Sequence, residues 1–254
     1  MIEILKILFS MPFLLYSCYS DLNSRRVSNK VWKYMLAAGS VFISYGVFTD
    51  GTYYLKPLLF SGVLVFAVVY ILFQLGAFGG GDAKGLIALS ILFPSYPVFS
   101  FSGKIYPLLG IPPVGLFTFT VLGNALLLTT LVPLGMFCYN VLHFSPEMTK
   151  NPLYMFIGYR TNVSSLKYKK HLGLLEKFEL DESGRLKKKF SLIGLNFDAD
   201  QKPELDEYLK KGLIEKDIWV TLGLPFMLSI TAGFITAVVF GDLIFYVVMR
   251  LMVS

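Results

Sequence analysis

Long apolar runs alternate with short polar stretches along most of this chain. Runs from about Ile2 to Ser20, Val31 to Phe48, Pro57 to Phe78, Gly81 to at least Phe93, Val114 to Leu142 and Trp219 to Val248 each predict a membrane-spanning helix. The fourth run is short. Only 11 residues, Ala83 to Phe93, precede Pro94, where about 20 are needed to cross a bilayer. Either the helix continues past Pro94 with a kink, or Asp82 lies inside the membrane plane. The second case puts glycine-rich backbone at membrane depth, which is tolerated only where it lines protein or a water cavity.

Residues 143 to 217 break the pattern. Within them Phe190 to Phe197 reads as a strand, and Pro203 to Lys211 as a short helix with acids early and lysines late, matching the helix dipole. The stretch 94 to 113 carries five prolines and is not expected to be a regular helix. The fold class expected is an all-α polytopic membrane protein of about six transmembrane helices with a small mixed cytoplasmic insertion. The expected organisation is residues 1–142 as transmembrane helices one to five, 143–217 as the soluble insertion and 218–254 as the sixth helix.

Composition sharpens this picture. Mean hydropathy is +0.62 and only 16% of residues are charged, against about 25% in soluble domains. The insertion holds 14 of the 23 Lys and Arg and 12 of the 17 Asp and Glu. Basic residues mark the cytoplasmic face of membrane proteins. Arg25, Arg26, Lys30 and Lys33 therefore put the first loop inside, and alternation puts Gly79 to Lys84 and the insertion on the same side. The net charge of +6 is better explained by these loops than by nucleic acid. Cys18 and Cys138 lie in apolar runs, and His143 and His171 are too few for a metal cluster, so neither a metal nor a cofactor is expected.

Acids are scarce outside the insertion: Glu3, Asp21, Asp50, Asp82 and Asp242. Asp50-Gly51 reads as a turn. Asp21 ends the first span, and Ser10, Leu14, Ser17 and Asp21 form one helical stripe expected to face the bundle interior. Asp82 follows Gly79-Gly80-Gly81 and opens the fourth span. Its simplest alternative role is to cap that helix, and Asp21 could be merely the first polar loop residue. The topology, however, places both on one side, and acids at a membrane boundary are costly enough to signal function. Two close carboxyl groups share one proton, so one can accept a proton from water while the other polarises a peptide carbonyl. Asp82 at a helix N-terminus is expected to be the base, and Asp21 at a helix C-terminus, opposing the dipole by about 0.3–1 kcal/mol, the acid.

Gly79-Gly80-Gly81-Asp82-Ala83-Lys84 resembles the G-x-G-D signature of the GxGD membrane aspartyl proteases, in its prepilin peptidase form. Asp21-Leu22-Asn23-Ser24-Arg25-Arg26 resembles the first motif of that branch. Six spans with an insertion before the last are similar to the archaeal preflagellin (archaellin) peptidases. The chain lacks the cysteine-rich region usual in the bacterial enzymes. The resemblance implies an aspartic endopeptidase that removes a short basic leader from archaellin or type IV pilin-like precursors at the cytoplasmic boundary of the cell membrane. It implies Asp21 and Asp82 as catalytic, Gly79 and Gly81 as structural and substrate-approach positions, no cofactor, and a preflagellin or prepilin-like protein as partner. The alternatives are an ion- or proton-coupled transporter using Asp21, Asp82 and Asp242 as a relay, and a non-catalytic assembly factor. Asp242, after Gly241, is read as structural.

Overall fold

A computed structural model describes the 254-residue chain apart from residues 169–171, 181–185, 197–201, 224 and 254. The chain divides into two compact units, Met1–Thr129 with Pro225–Ser254, and Thr130–Leu224.

The first unit is built of apolar helices: α1 (Ile2–Ser24), α2 (Asn29–Asp50), α3 (Thr52–Gln74), α4 (Gly80–Leu92), α5 (Phe117–Thr129), α8 (Phe226–Val239) and α9 (Leu243–Val253). Between α4 and α5 the proline-rich stretch contains a small hairpin, β1 (Phe99–Phe101) with β2 (Lys104–Tyr106). The core is aromatic at its centre. Phe93, Phe117 and Phe234 are fully buried and meet ring to ring at 5.1–5.6 Å between centroids, with Tyr96 edge-on to Phe117. Around it the helices expose large apolar side chains, among them Phe48, Leu59, Val63 and Phe66. In water such a surface would drive association, whereas in a bilayer it faces lipid.

Among the described residues, four helices are long and apolar enough to cross a membrane: α1, α2, α3 and the stretch Phe117–Leu142. The pair α8 and α9 would make a fifth span, bent by 57° at its break. The expected count of six therefore reduces to four or five. The short fourth helix is the main reason. It ends at Leu92 with Phe93 as its C-cap and does not continue through Pro94. Its 13 residues rise only about 20 Å, against about 30 Å of hydrocarbon.

The second unit contains α6 (Leu131–Leu142), short 3₁₀ turns, β3 (Tyr159–Asn162), β4 (Leu172–Leu180), β5 (Leu186–Asn196), α7 (Lys202–Lys210) and β6 (Asp217–Leu222). The strands form one antiparallel sheet in the order β3-β6-β4-β5. The expected strand at Phe190 to Phe197 lies largely in β5, its last residue falling outside the described residues, and the helix expected at Pro203 to Lys211 is α7. Apolar residues from alternate positions cover both faces. Ile218 and Val220 pack with Val163, Leu166, Leu172, Leu174 and Leu205, and Trp219 packs with Met148, Met155 and Leu175. The apolar stretch from Trp219 is therefore the end of a doubly buried strand, and the last helical run starts only at Phe226. Hydropathy alone does not separate such a strand from the start of a span.

Candidate active site

Asp21 lies inside the last turn of α1, which runs on to Ser24. Ser10, Leu14 and Ser17 are fully buried and Asp21 keeps only 9% of its surface, so the predicted stripe does face the interior. Ser10 and Ser17 each return their hydroxyl to a carbonyl one turn earlier, Lys6 and Phe13, which satisfies them without a partner helix. The helix closes at Arg25, which is left-handed at φ 54° and donates its N–H to the Asp21 carbonyl. Ser20 and Ser24 then both donate to the Arg26 carbonyl, at 2.7 and 3.1 Å, and Ser28 caps α2 by accepting the Lys30 N–H. The loop after Asp21 is thus a fixed structure.

The Asp21 carboxylate has a partner far away in sequence. Its Oδ2 accepts the backbone N–H of Met227 at 3.2 Å. Met227 is in the first turn of α8, whose N-cap residue, Pro225, supplies no capping side chain. Asp21 therefore does for α8 what an N-cap would do, satisfying an otherwise orphaned donor. One turn earlier on α1, Cys18 Sγ lies 3.3 Å from the Met227 carbonyl and 3.0 Å from Thr231 Oγ1. Residues three apart on α1 thus hold both backbone polar groups of Met227.

Asp82 is buried to the same 9%. It is the third residue of α4, and its Oδ2 accepts the N–H of Gly79, the N-cap, at 3.0 Å. This is the half of a capping box that a glycine N-cap can offer. The surrounding motif residues each have a steric or bonding reason. A Cβ on Gly79 would press on the Asp82 carboxylate at 3.3 Å, and one on Gly81 would meet Val27 Cβ at 3.2 Å. Gly80 has room for ordinary contact with Phe73. A Cβ on Gly85 would meet the Trp32 ring at 3.0 Å. Lys84 Nζ donates to Asn29 Oδ1 at 2.7 Å. Gly81 and Lys84 therefore dock the loop that follows Asp21 onto the start of α4. The Phe78 ring stacks on Phe226, next to Met227, with centroids 5.6 Å apart and planes within 7°.

Each carboxyl group is buried and held by a backbone amide, Asp21 by Met227 and Asp82 by Gly79. Both face a helix N-terminus, Asp82 that of its own α4 and Asp21 that of α8. The dipole argument that makes Asp82 the base and Asp21 the acid therefore loses its force, because α8 restores at Asp21 the favourable end that α1 denies it.

Asp242 belongs to a different structure. It sits at the break between α8 and α9, where Oδ1 accepts the Phe245 N–H at 2.9 Å and Oδ2 accepts the Thr120 hydroxyl at 3.1 Å. Asn124 closes the same break, donating to the Gly241 carbonyl and accepting the Leu243 N–H. Gln74 donates to Tyr70 within α3. Among the described residues no three His, Cys, Asp or Glu side chains are grouped to hold a metal, and His171 lies outside those residues. Sequence reasoning missed Phe226, Met227 and Cys18. A backbone amide leaves no sequence signal; Cys18, one turn from Asp21 on the buried side, left a faint one.

Residues 8–139 match the model of the type IV leader peptidase family, and residues 150–243 match that of the archaeal peptidase A24 C-terminus, type II. The chain is 28% identical over 236 residues to the preflagellin peptidase of Methanocaldococcus jannaschii, covering 90% of this chain and 91% of that protein. It is 27% identical over 245 residues to the preflagellin peptidase of Methanococcus voltae, covering 93% and 95%. It is 26% identical over 234 residues to that of Methanococcus maripaludis, covering 90% and 92%.

Proposed function

We propose, from the premise that this chain belongs to the type IV leader peptidase family, that it is an aspartic endopeptidase with Asp21 and Asp82 as its catalytic pair. It removes a short basic leader from archaellin or type IV pilin-like precursors. The observation that carries this reading is the burial of the two acids, Asp21 on α1 and Asp82 on α4, each held by a backbone amide at the start of a helix. The names of the preflagellin peptidases it resembles supply the substrate class.

In this reading one carboxyl of the pair is protonated, hydrogen-bonds the scissile carbonyl and passes its proton to that oxygen as water adds. The other, ionised, takes a proton from a water as its oxygen bonds to the carbonyl carbon. The tetrahedral intermediate collapses as the amide nitrogen receives a proton and the C–N bond breaks. The hydroxyl proton returns to the pair and restores the shared state. Gly79 keeps the turn before α4 free of a side chain beside the Asp82 carboxylate, and Gly81 lets Val27 of the loop after Asp21 seat against α4. Arg25, Arg26, Lys30 and Lys33 beside Asp21 support a cytoplasmic position for this end of the bundle, where a basic leader ahead of an apolar helix would present its cleavage site.

The test uses purified full-length protein in nanodiscs with a precursor bearing a Lys/Arg-rich leader. Asp21→Asn and Asp82→Asn each lower the cleavage rate by a factor on the order of 10²–10⁴, while Asp242→Asn retains cleavage. Cleavage that survives either dyad substitution removes this mechanism. For sidedness, Asn23→Cys on a Cys138→Ser background is labelled by an impermeant maleimide in inside-out vesicles only; labelling from the outer face reverses the topology.

A further inference from the structure

The opening turn of α8 reaches both acids, Asp21 directly and Asp82 through Phe78 and Gly79. Met227 holds Asp21 through its amide at 3.2 Å. Phe226, the residue before it, stacks on Phe78, the residue before Gly79, whose own amide holds Asp82 at 3.0 Å. α1 grips this turn a second time through Cys18, which takes the Met227 carbonyl and Thr231. Met227 is fully buried, and Thr231 nearly so, so these contacts are not exchanged with water.

On the reading that Asp21 and Asp82 are the catalytic pair, we propose that Phe226 and Met227 are positioning residues that set the separation and orientation of the two carboxyl groups. Helices α1 and α4 each carry one acid, and a fixed third body that touches both is what holds two such groups in register. A bare capping role for Asp21 would make α8 depend on Asp21. Positioning makes catalysis depend on the α8 amide, and the two differ in what is lost. Removing the amide leaves a carboxyl that no longer faces its partner. Substrate still binds and the chemical step slows.

Proline is tolerated in the first turn of a helix, because its missing N–H has no intrahelical partner there. Met227→Pro therefore deletes the donor to Asp21, and Met227→Ala deletes the side chain but keeps the donor. Steady-state cleavage of the precursor by full-length protein in nanodiscs is expected to show kcat lower in Met227→Pro than in Met227→Ala by about tenfold or more, as for a hydrogen bond to a charged group, with KM within about twofold. Equal kcat in the two variants, or a loss confined to KM, overturns the proposal. The second pair guards against misfolding of the proline variant. Phe226→Leu lowers kcat, and Phe226→Tyr, which restores a ring to stack on Phe78, recovers most of the loss. Wild-type kcat in Phe226→Leu, or no recovery in Phe226→Tyr, likewise overturns it. Asp21→Asn and Asp82→Asn run in the same assay separate the two ideas. Cleavage persisting in those variants ends the catalytic reading, whereas its loss there with no difference between the two Met227 variants ends only the positioning role.

Discussion

Lys84 Nζ donates to Asn29 Oδ1 at 2.7 Å, joining the second turn of α4 to the first residue of α2. The bond lies two residues beyond Asp82 and eight beyond Asp21, so it closes the loop that carries one acid onto the helix that carries the other. Val27 seated against Gly81 is its apolar counterpart. Lys84 thus acts on the site without touching Asp82.

A double-mutant cycle reads that coupling. Lys84→Met and Asn29→Ala are each expected to reduce cleavage a few-fold, and the double variant to be no worse than either alone. The pair is exposed, so the coupling free energy should be only about 0.5–1 kcal/mol. Additive losses in the cleavage rate would mean that Lys84 works through some other partner.

Gly85 is fixed by sterics. Its missing Cβ leaves 3.0 Å to the Trp32 ring, which is 4% exposed and has no room to retreat. Gly85→Ala should lower stability by about 1–3 kcal/mol, the usual cost of overpacking, measured by thermal unfolding in detergent. Trp32→Phe in the same chain should return part of the loss by shortening the opposing ring. A Gly85→Ala melting point equal to wild type would show that α2 and α4 slide apart freely.

Part of this arrangement was legible in the chain and part was not. The stripe Ser10, Leu14, Ser17, Asp21 could be read because helical periodicity is local. The Gly79–Lys84 stretch could be read because its glycines and acid sit within two turns. The contact of Asp21 with Met227 spans 206 positions and ends on a backbone amide, so no residue type announces it. The same contact removes the dipole asymmetry inferred from chain order. Trp219 looked like the start of a span because a strand buried on both faces is as apolar as a lipid-facing helix. The short α4 was visible from Pro94, yet its consequence for the number of spans needed the helix to end before the proline, as it does at Leu92.

Asp242 is held differently from the two acids proposed as catalytic. Both of its oxygens are engaged at the break between α8 and α9, by the Phe245 amide and the Thr120 hydroxyl. Asp242→Ala should therefore cost about 0.5–2 kcal/mol of stability, as for loss of a helix cap, and leave kcat at a permissive temperature within about twofold of wild type. Thermal unfolding and cleavage measured side by side check both halves. A kcat loss of the size seen in the Asp21→Asn variant would draw Asp242 into the reaction.

Gly233 sits where α8 crosses α5 most closely. A Cβ there would come within 2.5 Å of the Val121 carbonyl oxygen and 2.7 Å of the Ala125 nitrogen. Both are backbone atoms, so no side chain can turn away to make room, and the helices themselves must separate. Ala237 and Phe234, fully buried on α8, would lose contact with α5 at the same time. Gly233→Ala should lower stability by about 1–3 kcal/mol, and Gly233→Val by more. Because Gly233 lies six residues along the helix from Met227, a shift of α8 also moves the amide that holds Asp21. In the fraction that remains folded, kcat should fall with KM little changed, as in the Met227→Pro variant. Thermal unfolding gives the first effect, and steady-state cleavage normalised to folded protein gives the second. A Gly233→Ala enzyme that is less stable yet turns over at the wild-type rate would show that α8 can move at its middle without disturbing the turn at its start.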